Sequence, residues 1–215
     1  GLNVSKNLNR HYIQFFVLMI LILGTGILSG CWSSKELDAH VLVKGIGIDL
    51  TENDRVKLTV QLIKPVFTGS GGGSSESQDS EKAVYVLSTT GFSIFDAARN
   101  LGKSVGRKIF YGHVEIIVIS EEIAKKGIGP YLDFFMREPE LRRRTYTIIS
   151  RREAQKILEA VHGIESISAT GLRKIVDGQS ILGTLYATDL RMLMIYLLNE
   201  WSDPVIGNVE LRKGG

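Results

Sequence analysis

Cysteine is almost missing: 215 residues contain one, Cys31, so no disulfide can form within the chain. Proline is scarce at 4, which excludes a proline-rich scaffold. The 4 histidines, His11, His40, His113 and His162, never fall at HxH or HxxxH spacing, and no CxxC accompanies them. No metal site is therefore written in the sequence. A Gly-x-Ser-x-Gly elbow is lacking, and Gly45-Ile46-Gly47 extends to neither GxGxxG nor a P-loop. Those glycines read as a strand kink or a point of close packing. With no nucleophile–base pair, metal set or cofactor fingerprint, the chain reads as a non-enzyme without a cofactor. A dominant charge sign is also lacking. The 26 basic and 23 acidic residues leave +3, and Lys6 and Arg10 supply two of those, so residues 31–215 carry +1. A body that close to neutral offers no electrostatic ground for a nucleic-acid partner. Apolar residues at 44% and charged residues at 23% are ordinary for a globular protein. That composition excludes a polytopic membrane protein, a collagen-like fibre and a wholly disordered chain.

What is present begins at the N-terminus. Lys6, Arg10 and His11 precede an apolar stretch from Tyr12 to Leu28, whose unbroken core, Phe15 to Leu23, is nine residues long. A spanning helix needs about twenty apolar residues and a signal-peptide core about 7–15. Residues 1–30 therefore read as a signal peptide. It ends in Leu28-Ser29-Gly30-Cys31, which resembles the lipobox of bacterial lipoproteins. In that motif the signal is cut between positions matching Gly30 and Cys31, and the thiol receives diacylglycerol. Small residues let the backbone enter a protease cleft. Two or more acyl chains anchor stably where one binds only marginally. Cys31 is the expected lipidation site, and residues 31–40 the lipid-proximal tether.

Residues 41–207 read as one α/β domain, mixed α+β, with a leading β-hairpin and several helices packed on a mixed sheet. Val41 to Asp49 and Val56 to Val66 are strands. In the second, Val56, Leu58, Val60 and Leu62 alternate with Lys57, Thr59 and Gln61. Asn53-Asp54 marks the hairpin tip. Residues 68–82 contain no apolar side chain and read as a flexible Gly/Ser loop. Ala83 to Ser88 returns as a third strand. Ser93 is the expected N-cap of a helix that buries Ile94, Ala97, Ala98 and Leu101. The apolar run His113 to Ser120 predicts a strand buried on both faces, with His113 a structural histidine at its entry. Helices are expected at Glu121–Lys126 and Tyr131–Arg137, a strand at Thr145 to Ser150, and helices at Arg152–His162, Ser168–Val176 and Leu185–Glu200. Residues 208–215 read as the start of a truncated C-terminal region, since Gly1 is not an initiator and Arg212-Lys213-Gly214-Gly215 closes no element.

Two stretches stand out as contact candidates. Met136 to Arg144 is the densest charge cluster, with Arg137, Arg142, Arg143 and Arg144 against Glu138 and Glu140. It reads either as a solvated turn, its acids partly neutralising the arginines, or as a docking surface for an acidic partner or anionic headgroups. In Leu190 to Trp201, Leu190, Leu193, Met194, Leu197 and Trp201 share one helical face. Met192, Ile195 and Tyr196 make the other face apolar too, which predicts a helix buried all round, in the core or against a partner.

The order of these segments resembles the Ger(x)C family of spore germination lipoproteins. The matching residues are Gly30-Cys31-Trp32 with Glu36-Leu37, Val43 to Asp49, Leu58 to Pro65, Phe95-Asp96-Ala97 with Arg99, Arg107 to Val118, and Asp133 to Arg142. The chain departs at Ser33-Ser34-Lys35, where family members usually carry Asp-Arg-Arg-like residues. The resemblance implies a lipoprotein subunit of a nutrient germinant receptor, held by lipid on the outer face of the spore inner (cytoplasmic) membrane. Such a subunit works with two integral membrane subunits, and the family is not known for catalysis. The alternative is a solute-binding lipoprotein that captures a small nutrient itself. Converging polar side chains around a pocket would favour that alternative, and an exposed apolar or arginine-rich face would favour the subunit.

Overall fold

The computed structural model describes residues 14–19, 40–63, 84–160, 165–199 and 203–211. The chain divides into two units, Gly1–Ala39 and His40–Gly215. In the first, residues 14–19 are helical and exposed. Gly30, Cys31, residues 32–39 of the expected tether and the loop at 68–82 lie outside the described residues, and His40, the tether's last residue, already belongs to the first strand. Among the described residues, no helix is long and apolar enough to cross a membrane.

The second unit is built on an eight-stranded mixed sheet. β1 (His40–Leu50) and β2 (Val56–Ile63) form the expected antiparallel hairpin. Its turn closes with Thr51 N–H donating to Arg55 O at 2.8 Å, and Asp54 takes φ 55°, a left-handed conformation that Asp tolerates. β3 (Val84–Gly91) adds to β2 antiparallel. α1 (Ile94–Val105) follows, capped as expected: the Ser93 hydroxyl accepts from Asp96 N, and Asp96 Oδ2 accepts from Phe92 N at 3.1 Å. The chain then returns on the other side of β1. β4 (Lys108–Phe110) runs parallel to its first residues and β5 (Ile116–Ser120) parallel to Gly45–Ile48. After α2 (Glu121–Lys126) and α3 (Gly129–Arg137), β6 (Tyr146–Ser150) adds parallel to β5. α4 (Ala154–Glu159) and α5 (Ser168–Ile181) precede β7 (Thr188–Asp189), which pairs antiparallel with the start of β6. α6 (Leu190–Leu198) leads to β8 (Asn208–Val209), parallel to the end of β6. The strand order is β3-β2-β1-β5-β6-β7, with β4 on β1 and β8 on β6. The sheet does not stop at residue 207, because β8 still belongs to it.

Helices cover both faces. On one, Val41, Val43, Ile46 and Ile48 of β1 and the apolar set of β2 pack against Ile94, Ala97 and Leu101 of α1, Ile123 of α2 and Leu132 and Phe135 of α3. On the other, Ile116, Val118 and Ile148 meet Ala154, Ile157 and Leu158 of α4 and Ala169, Leu172 and Val176 of α5. β5 is buried on both faces, as its apolar run requires. Gly45 and Gly47 are points of close packing. A Cβ on Gly45 would lie 2.8 Å from Ala169 Cβ and 2.9 Å from Leu158 Cδ2, and one on Gly47 3.2 Å from Ala154 Cβ. Without those side chains, α4 and α5 press directly on β1.

Buried polar side chains hold those helices in place. Gln61 donates from Nε2 to Leu158 O at 3.1 Å and accepts at Oε1 from Ala169 N at 2.8 Å, so one amide joins the end of α4 to the start of α5. The Asp49 carboxylate, at the end of β1, accepts from Ala154 N at 2.6 Å and Gln155 N at 3.1 Å.

Several boundaries differ from the sequence reading. β5 begins at Ile116 rather than His113, because Val114 N–H closes a turn onto Tyr111 O. The helix expected over 152–162 is the shorter α4, since Asp49 caps it from Ala154 and Ala160 is already extended. The helix expected over 185–200 begins only at Leu190, because residues 188 and 189 pair with β6 and the Asp189 carboxylate caps Met192 N at 2.7 Å. Burial of α6 all round in the chain's own core does not hold: Leu190 and Leu193 are buried, but Ile195 is 54% exposed and Leu198 79%. A nine-residue helix at the rim of a sheet has one side against the core and nothing in the described chain over the other.

Candidate functional site

The arginine segment joins α3 to β6, and its backbone is firmly held. Leu141 is buried in the core, Thr145 Oγ1 donates to Val114 O at 3.1 Å, and Thr145 N–H donates to Arg142 O at 3.0 Å. The start of α6 braces it, with Leu190 N–H donating to Thr145 O at 2.8 Å and Arg191 N–H to Arg143 O at 3.0 Å. The loop is thus a rigid mount whose arginine side chains face solvent.

The acids expected to neutralise these arginines are engaged elsewhere. Glu140 accepts from Tyr111 N at 3.2 Å and pairs with Lys108 at 3.7 Å, while Glu138 accepts from Glu140 N. Burial, followed by the nearby Glu138 and Glu140 charges, pushes the Tyr111 phenol up to about 12, so it remains neutral. Arg137 pairs with Asp133 one helical turn back, at 3.0 Å. No carboxylate among the described residues pairs with Arg142, Arg143 or Arg144.

Arg137 and the later arginines do not share one site. Arg137 borders a groove of about 370 Å³ between α1 and α3, lined by Phe95, Pro130 and Phe134. Arg142 and Arg144 line another, of about 200 Å³, where β5 and β6 begin. There they meet Lys44, His113, Glu115 and Arg173, residues that sequence reasoning did not connect to them. Lys44 reaches this position because it is the extra residue of a β-bulge between Val43 and Gly45. Its Nζ lies 2.7 Å from Glu115 Oε1. The only sequence signal is a lysine in the apolar run Val41 to Ile48. His113, expected as a structural histidine at the entry to β5, is exposed, with its ring tilted against Phe110 at 5.6 Å between centroids.

The three apolar candidates lie on α6, whose first turn braces the arginine segment. Met192 and Tyr196 are half-buried and Ile195 is exposed. The Tyr196 hydroxyl shares a hydrogen bond with that of Tyr186 at 3.2 Å. Leu197 and Leu198 of α6 are exposed too, as are Ile181 at the end of α5 and Leu182 after it. Among the described residues, no group of three or more His, Cys, Asp or Glu is placed to hold a metal ion.

The chain matches the family described as "Spore germination protein N-terminal domain" over residues 33–211. In Bacillus subtilis (strain 168) it is 30% identical to spore germination protein KC over 164 residues, 74% of this chain and 39% of that protein. It is 31% identical to the putative spore germination protein YfkR over 195 residues, 88% of this chain and 49% of that protein. Spore germination protein B3 is 27% identical over 154 residues, 71% of this chain and 37% of that protein. The chain thus spans about half or less of the length of these relatives. No solved structure matches it. With its mixed α/β sheet, and a family match running from the residues just after Cys31 to the strand that closes that sheet, this chain belongs to the Ger(x)C family of spore germination proteins.

Proposed function

We propose that the chain is a membrane-anchored lipoprotein subunit of a spore nutrient germinant receptor and acts without catalysis. The observation that carries this reading is the Leu28-Ser29-Gly30-Cys31 sequence immediately ahead of a domain of the spore germination family. Cys31 carries the lipid, placing the α/β domain on the outer face of the spore inner membrane. Its contacts with the receptor's integral membrane subunits come from surfaces the fold leaves uncovered: the arginines at 137 and 142–144, and the apolar side of α6 with Met192, Ile195 and Tyr196.

The test is a pull-down of the natively expressed protein from spore membranes, beside Cys31→Ala. Two polytopic proteins should co-purify with the wild type. The variant should leave the membrane fraction, and its spores should respond poorly to nutrient. Recovery of the protein alone, still membrane-bound without Cys31, would refute both the anchor and the subunit. One feature favours the second reading, a solute-binding lipoprotein: the polar groove of about 200 Å³ at Arg142 and Arg144 has the converging charged groups such a protein needs.

A further inference from the structure

We propose that the groove at the start of β5 and β6 is a binding site for a phosphate group, either on an anionic lipid headgroup or free in solution. The inference goes beyond the anchored-subunit reading and does not depend on it, because every residue it uses lies in the domain itself.

Four permanent cations, Lys44, Arg142, Arg144 and Arg173, line one groove with a single carboxylate, Glu115. Lys44 is matched by Glu115 at 2.7 Å. Arg173 is only partly matched: its Nε lies 3.5 Å from Asp177, which also holds the Tyr146 hydroxyl and pushes that phenol's pKa up. Arg142 and Arg144 have no carboxylate partner among the described residues. Guanidinium groups lining one groove repel one another, and among the described residues no carboxylate balances two of them.

The backbone nevertheless holds that arrangement rigidly. Glu115 N–H donates to Lys44 O at 2.9 Å and Tyr146 N–H to Glu115 O at 3.3 Å, so the groove's floor is sheet ladder. Thr145, between Arg144 and β6, is buried and bonded to Val114. A phosphate group answers the charge and the geometry together. It brings one to two negative charges and several acceptor oxygens, which guanidinium forks grip in bidentate pairs, whereas a carboxylate offers two oxygens. The groove's one carboxylate does not compete for these arginines, since Glu115 Oε1 is held by Lys44 and its Oε2 is buried.

The experiment is isothermal titration of the full chain at low ionic strength with two probes, sodium phosphate and water-soluble dihexanoyl-phosphatidylglycerol. Saturable binding of at least one probe is expected, weakened about tenfold or more in Arg142→Ala/Arg144→Ala and by added salt. Lys103→Ala, which removes an exposed cation on α1, should bind like wild type. Should the double alanine variant fail to fold, Arg142→Lys/Arg144→Lys keeps the charges but not the forks, and should bind less tightly than wild type. Tighter binding of the lipid assigns the source to headgroups, and tighter binding of inorganic phosphate assigns it to solute. Absence of binding by both probes, or binding that neither arginine variant changes, overturns the proposal. Neither result bears on whether Cys31 is lipidated, so the two readings fail separately.

Discussion

Gln61 on β2 and Asp49 on β1 are polar side chains buried in the sheet among valine, isoleucine and leucine. Gln61 satisfies two backbone groups at once, so Gln61→Leu keeps the volume but leaves Leu158 O and Ala169 N buried without partners. At about 1–3 kcal/mol for each orphaned group, the substitution should cost about 3 kcal/mol, read from a urea unfolding curve. Asp49 behaves differently because it carries charge. Burial raises its pKa above the usual carboxylate value, and the amides of Ala154 and Gln155 only partly oppose that. The folded chain therefore holds this proton to higher pH than the unfolded chain does. Asp49's contribution to stability is greatest below the unfolded value, about 4, and declines as pH rises through the folded one. Unfolding measured across that window should show wild type losing stability relative to Asp49→Asn as pH increases. A difference independent of pH would mean that the carboxylate titrates as if exposed.

At the scale of elements, β1 is the strand on which everything else is assembled. It pairs with β2 on one edge and with β4 and then β5 on the other, and it receives helices on both faces. The bulge at Lys44 shifts its alternation, so that Val41 and Val43 share a face with Ile46 and Ile48 while Gly45 and Gly47 face α4 and α5. Gly45→Ala places a methyl group within 3 Å of both Ala169 and Leu158, and neither helix can retreat without breaking the Gln61 bonds. Overpacking of this kind costs about 1–3 kcal/mol. Gly47→Ala, with contacts at 3.2 Å, should cost less. The order of the two melting temperatures checks the packing directly. These elements also show what could be read in advance. β1, β2 and α1 carry their own signals: alternation, a turn residue that tolerates positive φ, and a Ser93–Asp96 cap. β4, β7 and β8 are two or three residues long and exist only because a longer strand offers them an open edge.

For the whole molecule, the surfaces left uncovered bear most directly on partners. α6 buries Leu190 and Leu193 and exposes Ile195, Leu197 and Leu198, and exposed Ile181 and Leu182 add to the apolar surface. Ile195→Glu should change stability by no more than about 0.5 kcal/mol, since the side chain is largely in water already. Under the subunit reading it should sharply reduce the recovery of membrane proteins in the pull-down. Undiminished recovery would remove α6 from the interface. The net charge of +3 conceals a different asymmetry. Glu138 and Glu140 sit beside the arginines in sequence, yet they point into the Tyr111 turn and toward Lys108, and the cations outnumber the acids in one groove.

The linear chain by itself determined the signal-like start and Cys31, the mixed α/β class, the hairpin, the helix cap and the family resemblance. Each of these depends on neighbours within a few residues or on the order of segments. It also marked Arg142 and Arg144 as unusual. Tertiary structure alone decided that they share a groove with Lys44 and Arg173 and not with Arg137, and that the nearby acids are occupied. Those facts come from the parallel pairing of β1, β5 and β6, which brings residues 44, 115 and 144 to one end beside Arg173 of α5, with a bulge that turns one lysine into the groove. Local periodicity reports which face of its own element a side chain occupies, but which distant charge it meets depends on how the strands are ordered.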